Sequence, residues 1–261
     1  MLFYRGVATT ASADRLRLIT EAVREAGSIG VAELAGLTGA SEMTVRRDLE
    51  VLAGQGVLER YRGGARSLLL RGEEPPFALR AQEGITVKRR IAAEVAGLLA
   101  DGESVVLDSG TTCLEVARAV AGRRLTVMPL SLHAVNVLTG APQLTLLVPG
   151  GRPRAGELAL TGPLTEASLS ALRFDTAVLG CCGLTAADGL TAYDLDDAAV
   201  KRAAIASSRR VIAVAEASKL TRTALALVAP AASVHVVVTD EDAAEEETDA
   251  LVTAGVSVRR A

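Results

Sequence analysis

Apolar positions in the early chain recur every three or four residues, then every second residue, and that change of period divides it. Leu16, Ile19 and Val23 fall on one face of a helix that Ser12 caps, that runs to Glu25 and that Gly27 stops. A second helix is predicted from Val31 to Leu37, and Thr38-Gly39-Ala40 make a tight turn. Ser41 caps a third helix with Val45, Leu49 and Leu52 on one face, which Gly54 and Gly56 end. Val57–Tyr61 and Ala65–Leu70 then read as two strands around Arg62-Gly63-Gly64. The expected organisation is a small helical domain with a β-hairpin over residues 14–70 and a linker over 71–85. The linker contains Glu73-Glu74-Pro75-Pro76, which continues neither a helix nor a ladder.

A larger domain is expected over 86–261. A helix from Thr86 to Leu99 leads into the apolar run Ser104–Leu107. Helical stretches then alternate with Leu125–Met128, Leu144–Val148, Thr176–Leu179, Val211–Ala215, Val234–Val238 and Val256–Val258. Such alternation predicts an α/β domain with a mostly parallel sheet covered by helices on both faces. The acidic run Glu241–Glu247 reads as a solvated helix start, where carboxylates suit the helix dipole. No internal repeat is visible.

Composition narrows the class. The chain has 261 residues, 49% of them hydrophobic, so a sizeable core is available and disorder is not expected. Aromatics are 2% with no Trp, which argues against binders that stack exposed rings on single-stranded bases. The formal net charge is −3, so any nucleic-acid surface must be local. No apolar window has the length of a membrane span and the start does not read as a signal peptide, which places the chain in the cytoplasm, off the membrane. Cys113, Cys181 and Cys182 lack metal or redox spacing and read as small hydrophobes in a reducing compartment. His133 and His235 have no ligand-spaced partner, so no metal, catalytic residue or cofactor is expected.

The helix capped by Ser41 carries the clearest chemistry. Its first two turns hold Glu42, Met43, Thr44, Arg46 and Arg47, the part of a recognition helix that reaches base edges in the major groove. Thr44 suits a base or a thymine methyl, and Arg46 or Arg47 suits a guanine edge with two hydrogen bonds. Asp48 has the wrong sign for DNA and is expected to turn inward and hold an arginine. Arg62 and Arg66 on the hairpin suit phosphates. The reading is a winged helix-turn-helix on double-stranded operator DNA.

These residues resemble the DeoR family of bacterial transcriptional regulators, over nearly the whole chain. Ser41-Glu-Met-Thr-Val-Arg-Arg-Asp-Leu49 is similar to that family's recognition-helix signature, and residues 57–66 to its wing. Pro76-Phe77, Arg80 and Lys88 match its link into the second domain. The resemblance implies a sensor domain similar in fold to ribose-5-phosphate isomerase, with a phosphorylated sugar or polyol as effector.

The residues of the second domain point the same way on their own. Leu107 ends an apolar run, and Asp108-Ser109-Gly110-Thr111-Thr112 leads into a helix, which makes an anion site from free N–H groups, hydroxyls and a helix dipole. Ser131, Gly150, Gly151, Gly180, Gly183, Glu216, Ser218 and Lys219 follow other strands, and Lys201 lies within the next helix. All fall at carboxyl ends of strands, where open α/β sheets bind ligands. Carried over from the resemblance, Asp108–Thr112 would hold the phosphate or sugar, and Lys201 and Lys219 would supply positive charge. Asp108 would repel a phosphate and is assigned to sugar hydroxyls or to holding the loop. Two departures stand out: Glu216 where the family has Asp, and Cys113 where Thr is usual.

The rival reading is a sugar-phosphate isomerase with a DNA-binding appendage. It requires a carboxylate base beside the sugar carbons. The stretch Gly180-Cys-Cys-Gly-Leu184 offers none, although Asp188, Asp194, Asp196 and Asp197 lie nearby. The sequence reading is therefore a repressor of sugar catabolism genes, assembled as a dimer or tetramer, with the sign of the effector's action on DNA binding left open.

Overall fold

The computed structural model describes residues 10–54, 57–68 and 77–261. They form two compact units, Met1–Glu83 and Gly84–Ala261. The expected end of the hairpin at 69–70, Gly56 and the Glu73–Pro76 part of the linker lie outside the described residues.

The first unit contains α1 (Thr10–Ala26), β1 (Ser28–Gly30), α2 (Val31–Thr38), α3 (Glu42–Gly54), β2 (Leu58–Tyr61), β3 (Gly64–Ser67) and α4 (Phe77–Arg80). Ile19, Val23, Leu34, Val45, Leu49, Leu52 and Leu58 form its buried core. The 3–4 repeat thus marked the buried faces correctly. Three differences have local causes. Helix α1 begins ahead of Ser12, because no Gly or Pro interrupts residues 10–13, so Ser12 lies inside the helix and does not cap it. Strand β1, too short for a periodic signal, completes a three-stranded antiparallel sheet of order β1-β3-β2 through Ile29↔Ala65. Helix α4 lies in the expected linker, with Phe77 buried and Leu79 packed on this unit's core.

The second unit runs α5 (Ile85–Leu98), β4 (Ser104–Leu107), α6 (Thr111–Val120), β5 (Thr126–Pro129), α7 (Leu132–Leu138), β6 (Thr145–Leu146), β7 (Arg152–Pro153) and β8 (Leu160–Thr161). It continues through α8 (Pro163–Ser170), β9 (Phe174–Gly180), β10 (Gly183–Thr185), β11 (Gly189–Ala192), α9 (Leu195–Ala206) and β12 (Ser208–Val214). It ends with β13 (Ala226–Ala229), β14 (Val236–Thr239), α10 (Glu245–Thr253) and β15 (Ser257–Arg260). Seven strands form one parallel sheet in the order β15-β14-β12-β9-β4-β5-β6. All seven apolar runs predicted from the sequence supply these strands.

Side chains leave this sheet alternately to its two faces. Val106, Ala177, Leu179, Val211, Ala213 and Val237 enter one core; Val105, Leu107, Val178, Ile212, Val214 and Val238 enter the other. Two small antiparallel sheets, β10-β11-β13 and β7-β8, were not predicted, because strands of two to four residues carry no readable alternation. The sheet order places a topological switch between β4 and β9. From β4 the chain moves outward through β5 and β6, then returns to β9 and proceeds the other way. Ligands of open α/β sheets occupy the crevice at the carboxyl ends of such a pair, here Asp108 and Gly180.

Candidate functional site

In the first unit, Gly39 takes the left-handed conformation at φ 64°, which lets the chain reverse within Thr38–Ala40. The Ser41 hydroxyl accepts the Thr44 N–H at 3.2 Å and meets the Thr44 hydroxyl at 3.0 Å. Ser41 is thus a side-chain cap, and the Thr44 hydroxyl is engaged with it. Glu42, Met43, Arg46 and Arg47 are exposed on the first two turns of α3. Asp48 turns inward as expected and is nearly buried. It accepts from Arg15 Nε at 2.6 Å and Nη2 at 3.2 Å, which raises the Arg15 pKa and clamps α3 to α1.

The arginines of this surface are not equivalent. Arg46 pairs with Glu42 at 2.9 Å, Arg66 with Glu59 at 2.5 Å, and Arg60 with Glu50 at 2.8 Å. Exposed pairs of this kind are weak and exchange readily for phosphate. Arg47 and Arg62 have no carboxylate partner among the described residues. The hairpin also exposes Arg60 and Tyr61, neither of which was among the residues expected to contact DNA.

In the second unit, Asp108–Gly110 join β4 to α6, and Thr111 and Thr112 form the first turn of that helix. Gly110 caps α6 at φ 95°, ψ 170°, a region essentially restricted to glycine, and no side chain bonds the helix start. An ideal Cβ on Gly110 would meet nothing within 4 Å, so the loop faces open space there. Ser109 and Thr111 are 9% and 5% exposed, yet neither hydroxyl, nor that of half-buried Thr112, finds a hydrogen-bond partner among the described residues. The free N–H groups of an uncapped helix start and three unengaged hydroxyls make a donor-rich niche.

Asp108 holds the loop, one of the two roles expected of it, and Lys201 is engaged with it inside the fold. Asp108 is buried and accepts the Gly180 N–H at 2.9 Å, so it ties the β4 loop to the end of β9. The Lys201 ammonium, equally buried, bonds Asp108 and stands 3.3 Å from Asp197. Burial raises the Asp108 pKa, with Lys201 pulling the other way. Burial lowers that of Lys201, but the two carboxylates outweigh it and leave it raised. One ammonium between two carboxylates carries no spare positive charge for a phosphate. Asp197, a member of this triad, was singled out in the sequence only as a possible isomerase acid.

The remaining expected residues divide by geometry. Ser131 is nearly buried and accepts the His133 N–H at 3.2 Å as the cap of α7. A Cβ on Gly151 would collide with Thr165, and one on Gly183 with the Arg222 carbonyl; on Gly150 it would press on Leu164 at 3.3 Å. The backbone is closely packed at those three glycines, whereas Gly110 faces open space. Glu216 stands 3.6 Å from buried Lys88, so its extra methylene reaches toward α5. Lys219 lies in the short 3-10 turn Ala217–Lys219, anchored by the Ala217 N–H on Asp240 at 2.7 Å. Burial raises the Cys113 thiol well above its ordinary value and Cys181 to about 12, so both resist ionisation. His235 Nδ1 accepts the Val211 N–H at 3.1 Å, a structural role.

Comparison with known proteins follows the two units. Residues 15–69 match the DeoR-like helix-turn-helix domain and residues 83–241 the DeoR C terminal sensor domain. The transcriptional repressor AccR of Agrobacterium fabrum is 35% identical over 229 residues, spanning 87% of this chain and 89% of that protein. The glycerol-3-phosphate regulon repressor of Haemophilus influenzae is 34% identical over 212 residues, 81% of this chain and 82% of that one. Among solved structures, ribose 5-phosphate isomerase A of Methanocaldococcus jannaschii aligns over 52% of this chain and 55% of that one, at 14% identity and a TM-score of 0.40, a likeness too slight to bear on function.

Proposed function

The chain belongs to the DeoR family of DNA-binding transcriptional regulators, and from that premise we propose a repressor of carbohydrate catabolism genes whose hold on its operator is set by a phosphorylated sugar or polyol. Its relatives are named as regulators and not as enzymes. One relative's name assigns it the glycerol-3-phosphate regulon, which supports a phosphorylated effector here.

The observation that carries the effector reading is the Asp108–Thr112 loop. Hydroxyls of Ser109 and Thr111 without protein partners, reached by solvent beside an uncapped helix start at the topological switch, leave donors that an anion would satisfy. Asp108 and Lys201 hold this loop against β9, and Lys201 and the Ser131 hydroxyl are assigned to sugar hydroxyls. Lys219 lies on the far side of the switch, after β12. On the DNA side, Arg47 reads a base edge, while Arg62, Arg66 and Arg60 meet phosphates.

One recognition helix reads too few base pairs to find its site in a genome, so the working form is at least a dimer on a repeated or palindromic operator. It acts where the chromosome lies, in the cytoplasm; among the described residues no helix is long and apolar enough to cross a membrane. The effector acts by binding the operator-bound and free conformations with different affinity. A thermal-shift screen of sugar and polyol phosphates, each beside its unphosphorylated parent, tests the reading. A phosphorylated compound is expected to raise the melting temperature and to shift operator binding, and its parent to do neither. Equal responses to both would overturn the phosphate assignment.

A further inference from the structure

If Lys201 is neutralised by Asp108 and Asp197, a phosphate dianion at the Asp108–Thr112 loop needs its positive charge from elsewhere. The turn between β7 and β8 supplies a guanidinium that neither the sequence reading nor the family comparison assigns. Arg154 opens this turn. Its backbone N–H bonds the Ala159 carbonyl at 2.7 Å, and its carbonyl accepts the Leu158 N–H at 2.8 Å. Leu158 has φ 52°, the one positive φ outside glycine among the described residues. Strain of this kind persists where the surroundings over-determine it, and it concentrates at ligand sites.

The turn is fixed beside the effector loop. The Leu132 N–H bonds the Leu158 carbonyl at 3.0 Å, the Leu160 N–H bonds the Leu130 carbonyl at 2.9 Å, and Ser131 bridges Ala159. The Leu130 N–H in turn bonds the Leu107 carbonyl at 2.7 Å, immediately before Asp108. The hairpin therefore sits one strand away from the Asp108–Thr112 loop, at the same sheet edge.

The guanidinium itself is under-satisfied. Its Nε–H is buried without a hydrogen-bond partner. Its Nη1 stands 3.6 Å from Asp194 Oδ2, near enough to feel the charge and too far for a hydrogen bond. Asp194 is the N-cap of α9, with Oδ1 on the Asp197 N–H at 2.8 Å. A half-buried arginine fork held in place with an idle donor lacks an acceptor, and a phosphate offers the matching bidentate geometry.

We infer that Arg154 is the anion-binding cation of the effector site, exchanging the loose Asp194 contact for phosphate oxygens of the ligand. This rests on reading the Asp108–Thr112 loop as an anion site. The N-terminal turn of α9 thereby senses occupancy, because the arginine that leaves Asp194 uncovers the cap of the helix that carries Asp197 and Lys201.

The test uses the full chain and inorganic phosphate as probe, at constant ionic strength with chloride as control, read by thermal shift. Wild type is expected to be stabilised by phosphate. Arg154→Gln should weaken the apparent affinity about tenfold or more, and Arg154→Lys less, since the charge survives without the fork. Asp194→Asn keeps the helix cap, because Asn caps as well as Asp, and removes the competitor for Arg154. It should tighten phosphate binding severalfold, which a merely structural role would not produce. Wild type and Arg154→Gln responding alike would overturn the arginine assignment and leave the loop reading intact. No response from wild type would overturn both. Should Arg154→Gln fail to fold, Asp194→Asn decides: unchanged or weaker phosphate binding there overturns the exchange.

Discussion

Replacing Lys201 with Met keeps the length of the side chain and removes its charge, which isolates what the ammonium does. Lys201 is 3% exposed, Asp108 1% and Asp197 8%, so no solvent is at hand to take over. After the change Asp108 retains the Gly180 N–H at 2.9 Å, and Asp197 loses its partner at 3.3 Å. Removing one member of a buried ion pair costs about 3–5 kcal/mol, because the other charge stays buried. At ~2–4 °C per kcal/mol for a domain of this size, the sensor transition should fall by roughly 6–20 °C. The deficit should depend on pH. Burial already raises Asp108 in wild type against the pull of Lys201, and without the lysine it rises further. A carboxyl raised in the folded state lends stability as the neutral acid, and that stability is lost as pH climbs through the folded value. The Lys201→Met deficit should therefore be widest at about pH 8 and narrow toward about pH 5.5. Urea unfolding followed by far-ultraviolet circular dichroism, on wild type, Lys201→Met and Asp108→Asn/Lys201→Met, measures it. The double variant should recover part of the loss. A deficit under ~1 kcal/mol, equal at both pH values, would show that these charges are not held against one another in the fold.

Three further outcomes are expected. Asp48→Ala removes both bonds to Arg15 and should cost the first unit about 1.5–3 kcal/mol, with operator and scrambled DNA losing affinity together; urea unfolding and gel shifts check this, and a neutral result would deny the clamp. Arg47→Ala should cost ~1–3 kcal/mol on operator DNA and little on scrambled DNA, whereas Arg62→Ala should weaken both and lower the salt slope; equal losses on both DNAs for Arg47→Ala would refute base reading. Gly110→Val forces a β-branched residue to φ 95°, at about 1–3 kcal/mol, and should abolish the effector response while DNA binding without effector survives; a normal DNA-release titration would remove the loop from the site.

Apolar spacing in α1 and α3 identified the buried faces of the first unit, and seven apolar runs located every strand of the parallel sheet, because burial on one or both faces writes itself directly into the order of side chains. The inward turn of Asp48 was legible too, since a carboxylate on a DNA-facing helix needs an internal cation. The identity of that cation was not: Arg15 lies 33 residues earlier, and only the packing of α1 on α3 brings the two together.

The proposed effector site shows the same division. Asp108–Thr112 could be read as a strand, a turn and a helix start, all local features. That Lys201 is neutralised inside the fold depends on a contact across 93 residues, made because Asp108 and α9 share one face of the sheet. Gly151 and Gly183 could be placed at the carboxyl ends of strands from the sequence, but the side chain and backbone that crowd them could not. Arg154 gave no signal at all, for its strained turn is fixed by hydrogen bonds to the strand beside it. Sequence order determined the elements and their buried faces, because those follow from local periodicity. Which charges cancel and which donors stay free was decided only by the tertiary structure, because it depends on distances between residues far apart in the chain.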